Sequence, residues 1–183
     1  MPALSTSTIH KTSLPSASVL HATDQQYDYA DSYSSVIELS PGQTVPIEDV
    51  AKAFFTSGPK WVEDLFALRN RIVGWLGLKT GGAANRQKLL DNFTCEAGAK
   101  LGLFKVFTKN EQEVILGEDD KHLNFRVSLF MREASNQRDR ELIISTVVIF
   151  HNWLGRLYFL PVKQFHRMIV PAMLKGVVQQ LHR

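Results

Sequence analysis

Three stretches decide the fold: Leu123–Met131 (LNFRVSLFM), Glu141–Asn152 (ELIISTVVIFHN) and Pro161–Leu181 (PVKQFHRMIVPAMLKGVVQQL). In the first, Leu123, Phe125, Val127, Leu129 and Met131 alternate with Asn124, Arg126, Ser128 and other residues, the period of two that marks a half-buried strand. The second is apolar on both faces, with Leu142, Ile144, Val148 and Phe150 on one and Ile143, Val147 and Ile149 on the other. A strand of that kind needs a cover on each side, either from its own chain or from a partner. In the third the period switches, and Val162, Phe165, Ile169, Ala172, Met173, Gly176 and Val177 fall at helical spacing. A sheet with one apolar face and a helix with one apolar stripe bury each other.

Working outward from these stretches, further strands are predicted at Tyr33–Leu39, Leu101–Thr108 and Glu113–Glu118, with hairpin joins at Lys109-Asn110 and Asp119-Asp120. Ser40-Pro41-Gly42 closes the first strand as a turn. A short helix follows, with Pro46 at its first position, Glu48 and Asp49 in its first turn, and Ile47, Val50, Ala51, Phe54 and Phe55 on its apolar side. Thr56-Ser57-Gly58 breaks it. A second helix is predicted from Pro59 to Gly77 on the spacing of Trp61, Leu65, Leu68, Ile72 and Trp75, and Lys79–Leu90 reads as a loop. Strand, two helices, meander, long helix is the order of an α+β protein with an antiparallel sheet. Residues 1–17, rich in Ser and Thr, are expected to be a flexible tail, and residues 18–183 one domain.

The bulk properties exclude more than they assign. At 183 residues, 44% hydrophobic and 21% charged, the chain is long enough to bury a sizeable core. A formal net charge of +3 without sharp clustering gives no argument for nucleic acid. Cys95 is the only cysteine, so no intrachain disulfide exists, and a cytoplasmic location with an inert thiol is the expectation. No apolar run is long enough to span a bilayer, so membrane insertion is not expected. Thr80-Gly81-Gly82 completes no phosphate-binding pattern and no Gly-x-Gly-x-x-Gly occurs, so no cofactor is expected.

The chemistry-bearing residues crowd into His151-Asn152-Trp153-Leu154-Gly155-Arg156-Leu157-Tyr158-Phe159, followed by Pro161, Lys163, Phe165, His166 and Arg167. With Trp61, Arg69-Asn70 and Gly117–Leu123, over roughly Asp28 to Leu174, the chain resembles an uncharacterised bacterial family, domain-of-unknown-function family 2867. That resemblance implies the helix-grip group of START-like and Bet v 1-like proteins, in which a sheet wraps a long C-terminal helix. It implies no reaction. The full helix-grip sheet has seven strands, and the remaining ones are sought in Ser18–Tyr29 and Phe93–Ala97.

Three functions are compatible with this reading. The leading one is the binding of a small apolar molecule between sheet and final helix, lined by Phe104, Phe125, Val127, Leu129, Phe165, Ile169 and Met173. The second is a cyclase-, dehydratase- or hydrolase-like enzyme using His151 as general base, which requires that residue to face a pocket beside a polar partner. The third is a dimerising or docking module built on the doubly apolar strand. His166 is expected on solvent, away from Phe165 and Ile169. Arg69 is expected at the edge of a buried stripe, paired with a carboxylate such as Asp31. Arg156, Lys163, Arg167, Lys175 and Arg183 read as a solvated basic face. His122 and His151 with Glu118 or Asp120 match no zinc spacing, so no metal is expected.

Overall fold

A computed structural model describes residues 8–22, 25–62, 64–65, 67, 94–136 and 138–182. Seven strands form one antiparallel sheet in the order β1-β2-β7-β6-β5-β4-β3. The strands are β1 (His10–Thr12), β2 (Tyr29–Ile37), β3 (Lys100–Leu101), β4 (Phe104–Lys109), β5 (Glu113–Asp119), β6 (Leu123–Glu133) and β7 (Arg140–Phe150). Among the described residues they are accompanied by α1 (Val19–Ala22), α2 (Ile47–Thr56) and α3 (Trp153–Leu181). The predicted helix after Pro59 is helical at residues 60–62, 64–65 and 67, and its remainder, Arg69 and the predicted loop Lys79–Leu90 lie outside the described residues. The arrangement is α+β and helix-grip-like, as the strand-to-helix order implies.

The sheet has two differently built faces. One carries Val114, Leu129, Ile144 and Tyr33 in a row across four strands, and α2 and α3 cover it. Ile37, Leu116, Leu129, Leu142, Ile144 and Leu174 are among its largest fully buried side chains. The opposite face is covered by the chain's own N-terminal segment, where Leu14, Leu20 and Tyr27 pack on Ile115, Val147 and Phe107. The N-terminal segment thus meets Val147 on the second apolar side of β7. Beneath this strap the Glu113 carboxylate, 1% exposed, accepts from Ser18 Oγ at 2.5 Å, Val19 N at 2.7 Å and Ser128 Oγ at 2.5 Å.

Several boundaries differ from the sequence expectation for local physical reasons. Residues 10–12, expected to be tail, pair with Ser32–Ser34 along the free edge of β2. The predicted strand Leu101–Thr108 is a tight hairpin of β3 and β4, because Gly102 adopts a left-handed φ of 59° that reverses the chain. The first long strand begins at Tyr29, four residues before the expected Tyr33. α3 begins at Trp153, eight residues before Pro161, because Asn152 caps it by accepting from Gly155 N at 3.1 Å. Pro161 and Pro171 lie inside this helix.

Glycine sets how closely α3 approaches its neighbours. A Cβ on Gly155 would lie 2.2 Å from the His122 carbonyl oxygen, and one on Gly176 would lie 2.3 Å from that of Ser57. Gly176→Ala gains about 1 kcal/mol of helix propensity but forces backbones apart at a cost of roughly 1–3 kcal/mol. The expected net effect is a destabilisation of up to about 2 kcal/mol by chemical denaturation, whereas propensity alone would give a gain.

Acid sensitivity has a local source. The Asp139 carboxylate accepts from Leu39 N at 3.0 Å and Asn136 Nδ2 at 2.6 Å, and the Leu39 N–H above all holds its pKa below the ordinary carboxylate value. This contribution is present above the unfolded-state pKa and is lost as pH falls through the lower folded value. In Asp139→Asn, the decline in stability on acidification measured by thermal melts is expected to be shallower than in the native chain.

Candidate functional site

Along the helix-covered face the side chains turn polar toward one end. Below, the row is Val114, Leu129, Ile144 and Tyr33; one step up it becomes Leu116, Val127, Thr146 and Asp31, and the last is Glu118, Phe125, Val148 and Tyr29. Asp31 is the centre of the polar group. Its side chain is 5% exposed; its Oδ2 accepts from Tyr29 Oη at 2.6 Å, and its Oδ1 lies 3.1 Å from His166 Nε2. As a carboxylate it only accepts, so the imidazole donates through Nε2 and, when neutral, keeps its lone pair on Nδ1.

α3 lays its first half along β2 to complete this group. Phe159 meets the Tyr29 ring edge-on at 4.9 Å, His166 meets it at 6.1 Å, and Lys163 Nζ stands 5.4 Å from the ring centroid. Burial, and next the Asp31 hydrogen bond and charge, push the Tyr29 phenol well above its usual pKa, against the lowering influence of the Arg167 guanidinium. Tyr33, the next residue on this face, is raised by burial and by Asp31 in the same way. Directly across the strand pair from Asp31 stands Thr146, which is 4% exposed. Its Oγ1 is the one buried side-chain polar atom among the described residues without a hydrogen-bond partner. Buried hydroxyls are nearly always paired, so this one marks a position where a partner is missing. Farther along the same end, Glu118 pairs with Lys100 at 3.0 Å.

The structure brings six of the seven predicted lining residues into one core. Val127, Leu129 and Met173 are buried there, while Phe104, Phe125 and Ile169 pack on it with partial exposure. Phe104 links Phe54, Phe55 and Phe125 in a run of edge-on ring contacts between 5.5 and 6.0 Å. Phe165 is different: it is 47% exposed and stands outside this interface. The buried ridge of α3 runs through Gly155, Phe159, Val170, Met173 and Val177, so the helix is rotated relative to the predicted stripe, and His166 turns inward.

His151 does not meet the requirement set for a general base. It is exposed in the turn before α3, where its backbone N–H donates to the His122 carbonyl at 2.9 Å. His122 contacts the Asn152 amide instead. Arg126 lies on the opposite face, stacked 3.6 Å from the Phe107 centroid and paired with Asp119 at 2.7 Å. Asp31 pairs with His166 and Tyr29, whereas the expected partner Arg69 is outside the described residues. Cys95 is buried, and desolvation pushes its thiol up, which disfavours the reactive thiolate. Among the described residues no group of three or more His, Cys, Asp or Glu side chains is placed to hold a metal ion. Two surface depressions open elsewhere. One of about 40 Å³ lies by Tyr27 and Arg126, and a wider one of about 460 Å³ lies between Ile47 and Lys109.

An antiparallel sheet closed by a long C-terminal helix, with a buried Asp–His–Tyr group at one end of their interface, defines a helix-grip-like α+β protein. Within that class the chain belongs to the family described as protein of unknown function (DUF2867), which matches residues 24–173. No curated protein and no solved structure matches it.

Proposed function

We propose that this chain binds a small, mostly apolar molecule between the sheet and α3, and reads one polar group on it. The observation that carries the reading is the buried, unpartnered Thr146 hydroxyl opposite Asp31. A ligand hydroxyl or carbonyl would satisfy Thr146, and a donor would reach the Asp31 carboxylate. Phe104, Phe125, Val127, Leu129, Ile169 and Met173 supply apolar surface, and the aromatic members account for the weight given to an apolar body. A second reading, acid–base chemistry on the bound molecule, moves from His151 to His166. The support for it is that Asp31 fixes the imidazole's orientation, as a carboxylate does in a catalytic triad.

Thr146→Val tests the proposal, because it removes the hydroxyl at nearly constant volume. In the ligand-free chain it is expected to raise stability by about 1–3 kcal/mol, the cost of an unsatisfied buried polar group. Native mass spectrometry of freshly purified native chain is expected to show a species heavier than the 20.7 kDa polypeptide, and the variant is expected to retain less of it. A variant that loses stability and keeps the same bound mass would overturn the reading.

A further inference from the structure

The outward side of α3 is apolar where a helix packed on one side only is ordinarily polar. Trp153, Leu157, Leu160 and Met168 are 69%, 55%, 63% and 61% exposed. Their spacings of four, three and eight residues set them along one line of the helix, within roughly 80° of arc. Leu154 and Phe165, 42% and 47% exposed, widen the line into a strip. At 1.5 Å per residue the strip is roughly 23 Å long. Single exposed apolar residues need no explanation, but an aligned strip is the mark of an interaction surface.

Charge selects the occupant. The ionised side chains of α3 are Arg156, Lys163, Arg167 and Lys175, and the helix contains no Asp or Glu. Arg156 is paired with Asp28 at 2.9 Å, Lys163 stands over Tyr29 and the Arg167 guanidinium acts on the Tyr29 hydroxyl, while Lys175 is exposed. A second copy laid on the strip would bring cation against cation with no acidic partner on either helix. A surface combining an apolar layer with negative charge fits both features. Tryptophan at the end of the strip suits the same boundary, since its ring sits at the level of lipid headgroups. No described helix is long and apolar enough to cross a membrane, so contact would be lateral.

We infer that the chain docks on an anionic lipid surface through the outer face of α3, with Trp153, Leu157, Leu160 and Met168 entering the headgroup boundary and Lys175 beside them. This is independent of the ligand reading, because the docking strip and the Asp31 group lie on opposite sides of the helix.

Co-sedimentation of the full chain with phosphatidylcholine vesicles containing roughly 30% phosphatidylglycerol tests the proposal. The expected result is binding that weakens as salt rises from about 0.1 to 0.5 M and is absent on pure phosphatidylcholine. Leu157→Ser with Leu160→Ser is expected to lower partitioning at least about tenfold at an unchanged thermal midpoint, and Lys175→Glu to lower it less. Should the double variant not fold, brominated-acyl lipids decide. They are expected to quench native tryptophan fluorescence, and Trp153→Phe is expected to remove most of that quenching. No binding to anionic vesicles, or equal binding to neutral ones, overturns the proposal. So does a dimer that the double variant dissolves while vesicles bind neither form, an outcome that assigns the strip to a second copy.

Discussion

Glu113→Ala is expected to destabilise the fold by about 3–5 kcal/mol, because it strands three buried hydrogen-bond donors. The carboxylate is 1% exposed and receives three donors, two hydroxyls and one backbone N–H. Removing it leaves Ser18 Oγ, Ser128 Oγ and Val19 N facing an empty site. Each stranded donor costs roughly 1–3 kcal/mol, and water entering the gap recovers part of that sum. The loss also has a direction. The strap that carries Leu14, Leu20 and Tyr27 is tied to β5 through Glu113, so its release exposes Ile115 and Val147. Amide exchange is therefore expected to accelerate in α1 before it does in β6. Glu113→Gln keeps one acceptor oxygen and is expected to lose less than half as much. Equal losses in the two variants would show that carboxylate charge, rather than hydrogen-bond acceptance, holds the strap.

Asp31→Ala is expected to cost about 2–4 kcal/mol by the same physics, since it strands the Tyr29 hydroxyl and the His166 N–H together. Here the energetics are shared. Tyr29→Phe alone removes one partner of Asp31 and is expected to cost about 1 kcal/mol. Once Asp31 is gone there is no hydrogen bond left for that change to break. The double variant is therefore expected to resemble Asp31→Ala, with a coupling energy of roughly 1 kcal/mol in a double-mutant cycle. Simple additivity would mean that Tyr29 and Asp31 act independently, and the site would no longer be one cluster. The variant also bears on ligand retention, because it removes the acceptor while leaving the apolar surface in place.

The meander and its covering helix were legible because their signals are local. β6 alternates along most of its length and β7 is a continuous apolar run, and the paired register follows from which side of β6 faces the core. The start of α3 was obscured by Pro161, which suits a first helical position but here lies inside a helix that Asn152 has already capped. β1 is three residues long and too short to show a period. Phe165 and Ile169 set the phase of the predicted helical stripe, and that phase put His166 on solvent. What reverses it is Asp31, 135 positions away in sequence. In the sequence Asp31 is only one carboxylate that Arg69 could meet. Which side chain it meets is decided by how α3 lies along β2, and no local pattern records that.

The order of the strands also bears on how the chain acquires its structure. β4 to β7 are joined by short turns and pair with their neighbours in sequence, so this half of the sheet can zip up soon after it is synthesised. β2 is made early but pairs with β7, joining Tyr29 to Val148 across more than half of the polypeptide. Until β7 emerges, β2 has no partner on that side, and β1 and the N-terminal strap have no platform. Closing so long a loop is entropically slow. A species with a formed meander and an open β7 edge is thus the expected intermediate, and that edge, apolar on both faces, is where self-association during synthesis would begin.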